Sequence, residues 1–203
     1  MLPALGDTLG LVTLHPVLRA AQQARVTFAT RLSHTADSQN QRHRMVPGAR
    51  PALSATVDDE PDYVTPSLIA GDGAALRAFR QAMDRAWEAF SWLRRHAPAP
   101  HLALYLLPNA VAVRIVETAD LAALQHKMRM RLCWNAQEEI RRIAWEQAVQ
   151  LREADPLIGG LMLPPCGLRH LAGTTPYCPE GDRYCGVPVW RLPFEEQEPP
   201  PSR

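Results

Sequence analysis

The sequence predicts an α/β protein of the α+β kind, a sheet accompanied by long helices, and three stretches carry that prediction. Between Ala74 and Arg95, Leu76, Phe79, Met83, Trp87 and Phe90 recur every three or four residues, with Arg77, Arg80, Asp84, Arg85 and Glu88 on the other face. That spacing is an amphipathic helix whose stripe is core. Ala110–Val116 is rich in β-branched residues and reads as a strand. Leu121–Arg152 returns to helical spacing as one or two helices, with Ile140, Ile143, Ala144 and Val149 inward and Glu138, Glu139, Arg142 and Glu146 outward.

The other elements follow in chain order. Residues 1–24 read as a helical lead-in, with Leu11, Leu14, Val17 and Leu18 on a rough stripe. Val26–Thr30 has the character of a short strand, and the polar run after it begins a helix or an ordered turn. Residues 45–66 hold four prolines and a glycine and are mainly loop. Ordered loops of that length tend to be lids or binding loops. Pro98 and Pro100 stop the long helix, and Pro108-Asn109 separates the two apolar runs that follow it. From Pro156 onward the chain is rich in proline and glycine and holds three of the four cysteines. One domain is expected over residues 1–190, with a flexible tail over 191–203.

Composition excludes several classes. With 46% hydrophobic and 21% charged residues, the 203-residue chain has the makeup of a globular protein with a core. A formal charge of +1 excludes a surface that holds nucleic acid by charge alone, while leaving room for a local basic pocket. No apolar run approaches the roughly 20 residues that span a bilayer, so no membrane partner is expected. The start, MLPALGDTLGLVTLHP, lacks the pattern of a secretory signal, and four cysteines are too few for a disulfide scaffold. A cytoplasmic location is the resulting expectation. The cations are 21 arginines and the single Lys127. Arginine is the bidentate partner of phosphate, but a GC-rich coding sequence gives the same bias, so the count alone assigns nothing.

Two basic clusters bear on chemistry. Gln39-Asn40-Gln41-Arg42-His43-Arg44 is either a solvated charged turn or a site where guanidinium forks and amides meet a phosphate-bearing planar ligand. In the second, Lys127 and Arg131 are i,i+4 and share a helix face, Arg129 points elsewhere, and Arg141 and Arg142 follow. Glu138 and Glu139 lie close enough in sequence to neutralise part of it.

Together these segments resemble a known family. Gln39-x-x-Arg42-His43-Arg44 is similar to the R-H-R signature of flavin-dependent thymidylate synthases, in which a glutamine stands three residues earlier. Met130-Arg131 followed by Ala136-Gln137-Glu138-Glu139-Ile140-Arg141 is similar to the family's late helix, and Leu107-Pro108-Asn109 to its strand-leading L-P pair. Cys178-Pro-Glu-Gly-Asp-Arg-Tyr-Cys185-Gly resembles a tail of some members. The ordered matches run from about residue 26 to 186.

The resemblance implies that family's fold, with a mixed sheet and long helices, and its reaction. The reaction is reductive methylation of dUMP to dTMP, with methylenetetrahydrofolate giving the carbon and NADPH-reduced FAD the hydride. It also implies that Arg42, His43 and Arg44 contact FAD, that Gln39 and Arg131 hold the nucleotide, and that a homotetramer shares its flavin sites between subunits. The chain departs from the signature after R-H-R. Pro47, Ala49, Arg50, Ala52 and Ser54 stand where the family has serine, asparagine, glutamate, serine and arginine. Arg50 is then the candidate substitute for the lost phosphate-binding arginine. Asp120-Leu121-Ala122 replaces an N-x-R flavin contact. These departures keep open a catalytically silent homologue that acts as a structural partner or as a nucleotide- or flavin-binding module.

The cysteines are weighed separately. Cys166, Cys178 and Cys185, with His170 as a possible further ligand, are either a zinc or iron–sulfur site that staples a loop-rich segment or simply buried and free thiols.

Overall fold

The computed structural model describes residues 16–198. Leu11 and Leu14 of the expected lead-in lie outside them, as do the last five residues of the expected tail. The described chain begins with the short helix α1 (Pro16–Ala20). Strand β1 (Arg25–Ser33) follows and runs directly into α2 (His34–Asn40). The turn between them is set by Ser33, whose hydroxyl accepts from the Ala36 amide at 3.0 Å. β2 (Gly48–Ala49), α3 (Leu53–Thr56) and α4 (Ser67–Ala70) punctuate the proline-rich loop. The long helix α5 (Gly73–His96) begins at Asp72, whose carboxylate caps the amides of Ala74 and Ala75 at 2.8 Å. A 3₁₀ segment (Pro100–Leu106) leads to β3 (Ala112–Asp120), α6 (Leu121–Arg131) and α7 (Glu138–Ala154). The short helices α8 (Pro156–Gly159) and α9 (Pro165–Leu171) are followed by 3₁₀ turns up to Gln197.

The sheet is small and antiparallel, three strands in the order β1-β3-β2, which with the long helices gives the α+β class. Register is visible at Thr27 and Thr118, whose hydroxyls meet at 2.9 Å, and at the His34 amide, which donates to the Val111 carbonyl at 2.9 Å.

The described chain groups into two compact units. One comprises residues 16–28 with 43–47 and 117–198. The other comprises Ala29–Arg42 and Gly48–Val116. The first unit has a core of Phe28, Val46, Ala119, Leu124, Met128, Leu132, Ala144, Ala148, Leu151 and Met162. The second packs Met83, Trp87 and Phe90 of α5 with Ala103 and Val111. In the first unit Phe194, within the segment expected to be flexible, stacks on Trp145 of α7 and lies 3.7 Å beneath the guanidinium carbon of Arg152.

Candidate functional site

In the first unit, β3 passes its chain straight into α6, with Asp120 accepting from the Ala123 amide at 2.8 Å. That capping role accounts for an aspartate at this position. Leu124, Lys127 and Met128 are spaced i, i+3, i+4 and all face the core, so the only lysine of the chain is 1% exposed. The alternation of β3 buries Glu117 between Ile115 and Ala119, and its carboxylate receives the Lys127 ammonium. A buried ion is tolerable only with such a partner.

One turn further along α6, Arg131 Nε donates to His43 Nε2 at 2.8 Å. A guanidinium has donors only, so Nε2 accepts and the imidazole is neutral with its proton on Nδ1. Burial, then the charges of Arg131, Lys127 and His126, pull His43 from 6.5 down to about 4, with Glu117 opposing. The His126 ring meets His43 edge-on with centroids 6.0 Å apart. His126 is itself lowered by burial and by Arg129. Arg44, next in sequence, is exposed, and among the described residues its guanidinium has no hydrogen-bond or ion-pair partner.

A depressed histidine has a defined consequence for stability. Between pH of about 6.5 and about 4 the unfolded chain holds a proton at this position that the folded chain does not. Stability is therefore expected to fall as the pH drops through that window and to level off below about 4. Urea melts at several pH values check this, and His43→Gln should make the decline shallower.

The second unit holds Gln39, Arg42 and Arg50. Arg42 is exposed at the end of α2 and, like Arg44, has no side-chain partner among the described residues. Asp37, on the buried face of α2, accepts from Arg50 Nε at 2.9 and 3.0 Å and from Gln41 Nε2 at 2.8 Å. Arg50 Nη1 also reaches the Gly48 carbonyl at 3.3 Å. Arg50 is thus fixed by Asp37, a residue that the sequence alone does not single out.

The four cysteines, all unpaired, stand together. Cys133, Cys166, Cys178 and Cys185 line one cavity of about 10 Å³ in the first unit. Cys133, which follows α6, joins the three expected from sequence, whereas His170 is not on the cavity wall and packs against Tyr177. Burial and the neighbouring thiols push Cys166 up to about 12, and burial also raises Cys133. Among the described residues no three His, Cys, Asp or Glu side chains are drawn together in the manner of a metal site.

Clustered guanidinium groups beside an imidazole are a chemistry shared by a broad class of anion-binding proteins. Comparison with known proteins narrows the class. The family model of thymidylate synthase complementing proteins matches residues 12–157. Over 166 residues the chain is 30% identical to a flavin-dependent thymidylate synthase of Thermococcus kodakarensis, covering 79% of this chain and 67% of that one. With a protein of the same description from Nitratidesulfovibrio vulgaris it shares 31% identity over 183 residues, 85% of this chain and 71% of the relative. A Clostridium tetani relative is 26% identical over 177 residues, covering 79% of this chain and 68% of its own length. The chain belongs to the thymidylate synthase complementing protein family.

Proposed function

We propose that the chain is a flavin-dependent thymidylate synthase that methylates dUMP reductively to dTMP. The contact between Arg131 and His43 carries this reading, because it joins the R-H-R segment to the late-helix motif across 88 residues of sequence. A solvated charged turn has no reason to meet that helix.

The residues present fit FAD. Two exposed guanidinium groups without a side-chain partner among the described residues, Arg42 and Arg44, suit a pyrophosphate, and the neutral imidazole that stands between them in the sequence suits a flavin ring system. When bound, FAD supplies the hydride that it has taken from NADPH, and methylenetetrahydrofolate supplies the carbon. The chain's own contribution is positioning and charge. Gln39 and Arg131 hold the nucleotide. Burial and the Arg131 donor at Nε2 keep His43 unprotonated, so it would offer a neutral Nδ1 donor to a flavin. Arg50, braced by Asp37, offers its outer nitrogen to phosphate in place of the signature arginine. A homotetramer completes each site from neighbouring subunits.

Two measurements test this reading. Arg42→Ala and Arg44→Ala are each expected to weaken FAD binding by about 2 kcal/mol, the scale of a lost charge-assisted hydrogen bond. Unchanged flavin affinity in both would overturn the cofactor assignment. Tritium release from labelled dUMP, with NADPH and methylenetetrahydrofolate present, should rise well above a control without protein. Release at control level would leave the chain a silent partner or a binding module.

A further inference from the structure

We propose that Cys133, Cys166, Cys178 and Cys185 form a tetrathiolate site for one zinc ion, with Arg141 as its buried counter-charge. The site lies outside the proposed flavin and nucleotide machinery and stands independently of that reading.

Four features point there. The thiols come from three separate parts of the first unit: the α6–α7 connection, the start of α9, and the loop from Cys178 to Cys185. All four nonetheless line a single cavity, and none is in a disulfide. Four cysteines from segments this far apart meet rarely without a common ligand, and zinc sites with four sulfur ligands use this donor set.

Next is size. A cavity of about 10 Å³ holds roughly one water-sized particle, which suits a single ion and leaves no room for an iron–sulfur cube. The thiols ring this space without converging on one point, and the ion would gather them by χ1 rotation between staggered wells. Each thiol gives up its proton as it becomes a ligand.

Third is charge. Four thiolates exceed a divalent ion by two negative charges, and a dry site needs a cation beside it. Arg141 is 8% exposed, and its Nε and Nη1 are buried without a hydrogen-bond partner among the described residues. Its guanidinium carbon lies 4.9 Å over the ring of Trp134, a residue of the cavity wall, near enough to Cys133 and Cys185 to respond to their charge once they are thiolates. Orphaned N–H groups in such a place are expected to have an acceptor, and metal-bound sulfur is one.

Last, the segment needs a staple. Between Ala172 and Val187 the chain has no α-helix or strand, its ring contacts are those of Tyr177 with His170 and Trp190 and of Tyr184 with Trp190, and it turns at Gly181 and Gly186 with φ of 56° and 82°. It is fixed at Asn135, whose Nδ2 donates to the Arg183 carbonyl at 2.5 Å, close to Cys133 in sequence. A metal holding Cys178 and Cys185 against Cys133 and Cys166 would tie this loop to the rest of the unit through ligand bonds.

The experiment uses the full chain, produced with zinc in the medium and gel-filtered in reducing buffer. Elemental analysis should find one zinc per chain. Exchange for cobalt(II) should give the red-region bands of a tetrahedral site together with sulfur-to-metal charge transfer. Cys185→Ser and Cys178→Ser, each checked for native circular dichroism, should lose the metal or bind it far more weakly. Arg141→Leu should weaken binding by about 10- to 100-fold, the usual effect of removing an outer partner of a metal site. Several results would overturn the proposal. These are zinc content no higher in the native chain than in the serine variants, a disulfide among the four cysteines after anaerobic purification, and iron with acid-labile sulfide in place of zinc. Metal retained in full by Arg141→Leu would remove Arg141 from the site.

Discussion

Replacing Glu117 with alanine is expected to destabilise the first unit by about 3–5 kcal/mol, because it strands the Lys127 ammonium in a core that water does not reach. The loss is of this size because the alternatives are poor. Lys127 lies between Leu124 and Met128 on the buried face of α6, so it cannot swing to solvent without dragging the helix away from β3. The double variant Glu117→Leu, Lys127→Met removes both charges and keeps the volume, and it should recover most of the stability, as replaced buried pairs often do. Urea denaturation followed by circular dichroism distinguishes the cases. A Glu117→Ala midpoint close to that of the native chain would mean that water reaches the pair.

Arg131→Ala should impair function more than any other substitution in the proposed nucleotide site. It removes the donor to His43 and the cation assigned to the substrate phosphate. A lost charge-assisted contact of about 1.5–3 kcal/mol raises KM for dUMP by roughly 10- to 100-fold. The spectral response of bound FAD to dUMP should weaken by the same factor, with FAD itself retained. A second effect marks direct contact rather than general damage. Without the neighbouring guanidinium, His43 loses one of the charges that hold it near 4, so its titration should move upward toward the ordinary imidazole range. Histidine NMR titration reads that shift. Arg131→Lys restores a charge without the planar fork and should return part of the affinity. An Arg131→Ala protein with native KM and an unmoved His43 would place the nucleotide elsewhere.

What the sequence made legible was local. The stripe from Leu76 to Phe90 placed a helix within one residue at each end of Gly73–His96, because helical spacing and flanking prolines are encoded in adjacent residues. The Leu121–Arg152 region resolved into two helices, separated where Gln137 turns its side chain to the Ile140 amide. The R-H-R segment and Arg131 were also visible, through resemblance to a motif. What stayed hidden was pairing at long range. A glutamate in a strand and a lysine in a helix read as surface charges until the fold buries them together. In sequence Arg141 belongs to a basic cluster, whereas in the fold it packs inward on Trp134. Cys133, 33 positions ahead of the next cysteine, gave no spacing signal, and only the fold brings it to the other three. Asp37 was one polar residue in a polar run, and only its ion pair with Arg50 distinguishes it.

The division of the aromatic residues between the two compact units has an optical consequence. Trp87 and Trp92 lie in the unit built around α5, whereas Trp134, Trp145 and Trp190 lie in the other. Intrinsic fluorescence of the native chain is therefore a sum over two populations of emitters with different surroundings. Trp87 is deeply buried in one unit, and Trp134 under Arg141 and Trp145 against Phe194 are held in the other. Exchanging either set for phenylalanine would make each unit separately visible, so that a single melt could show whether the two lose structure together or in turn. Within the second set, Trp134 borders the thiol cavity and is a built-in fluorophore for events there.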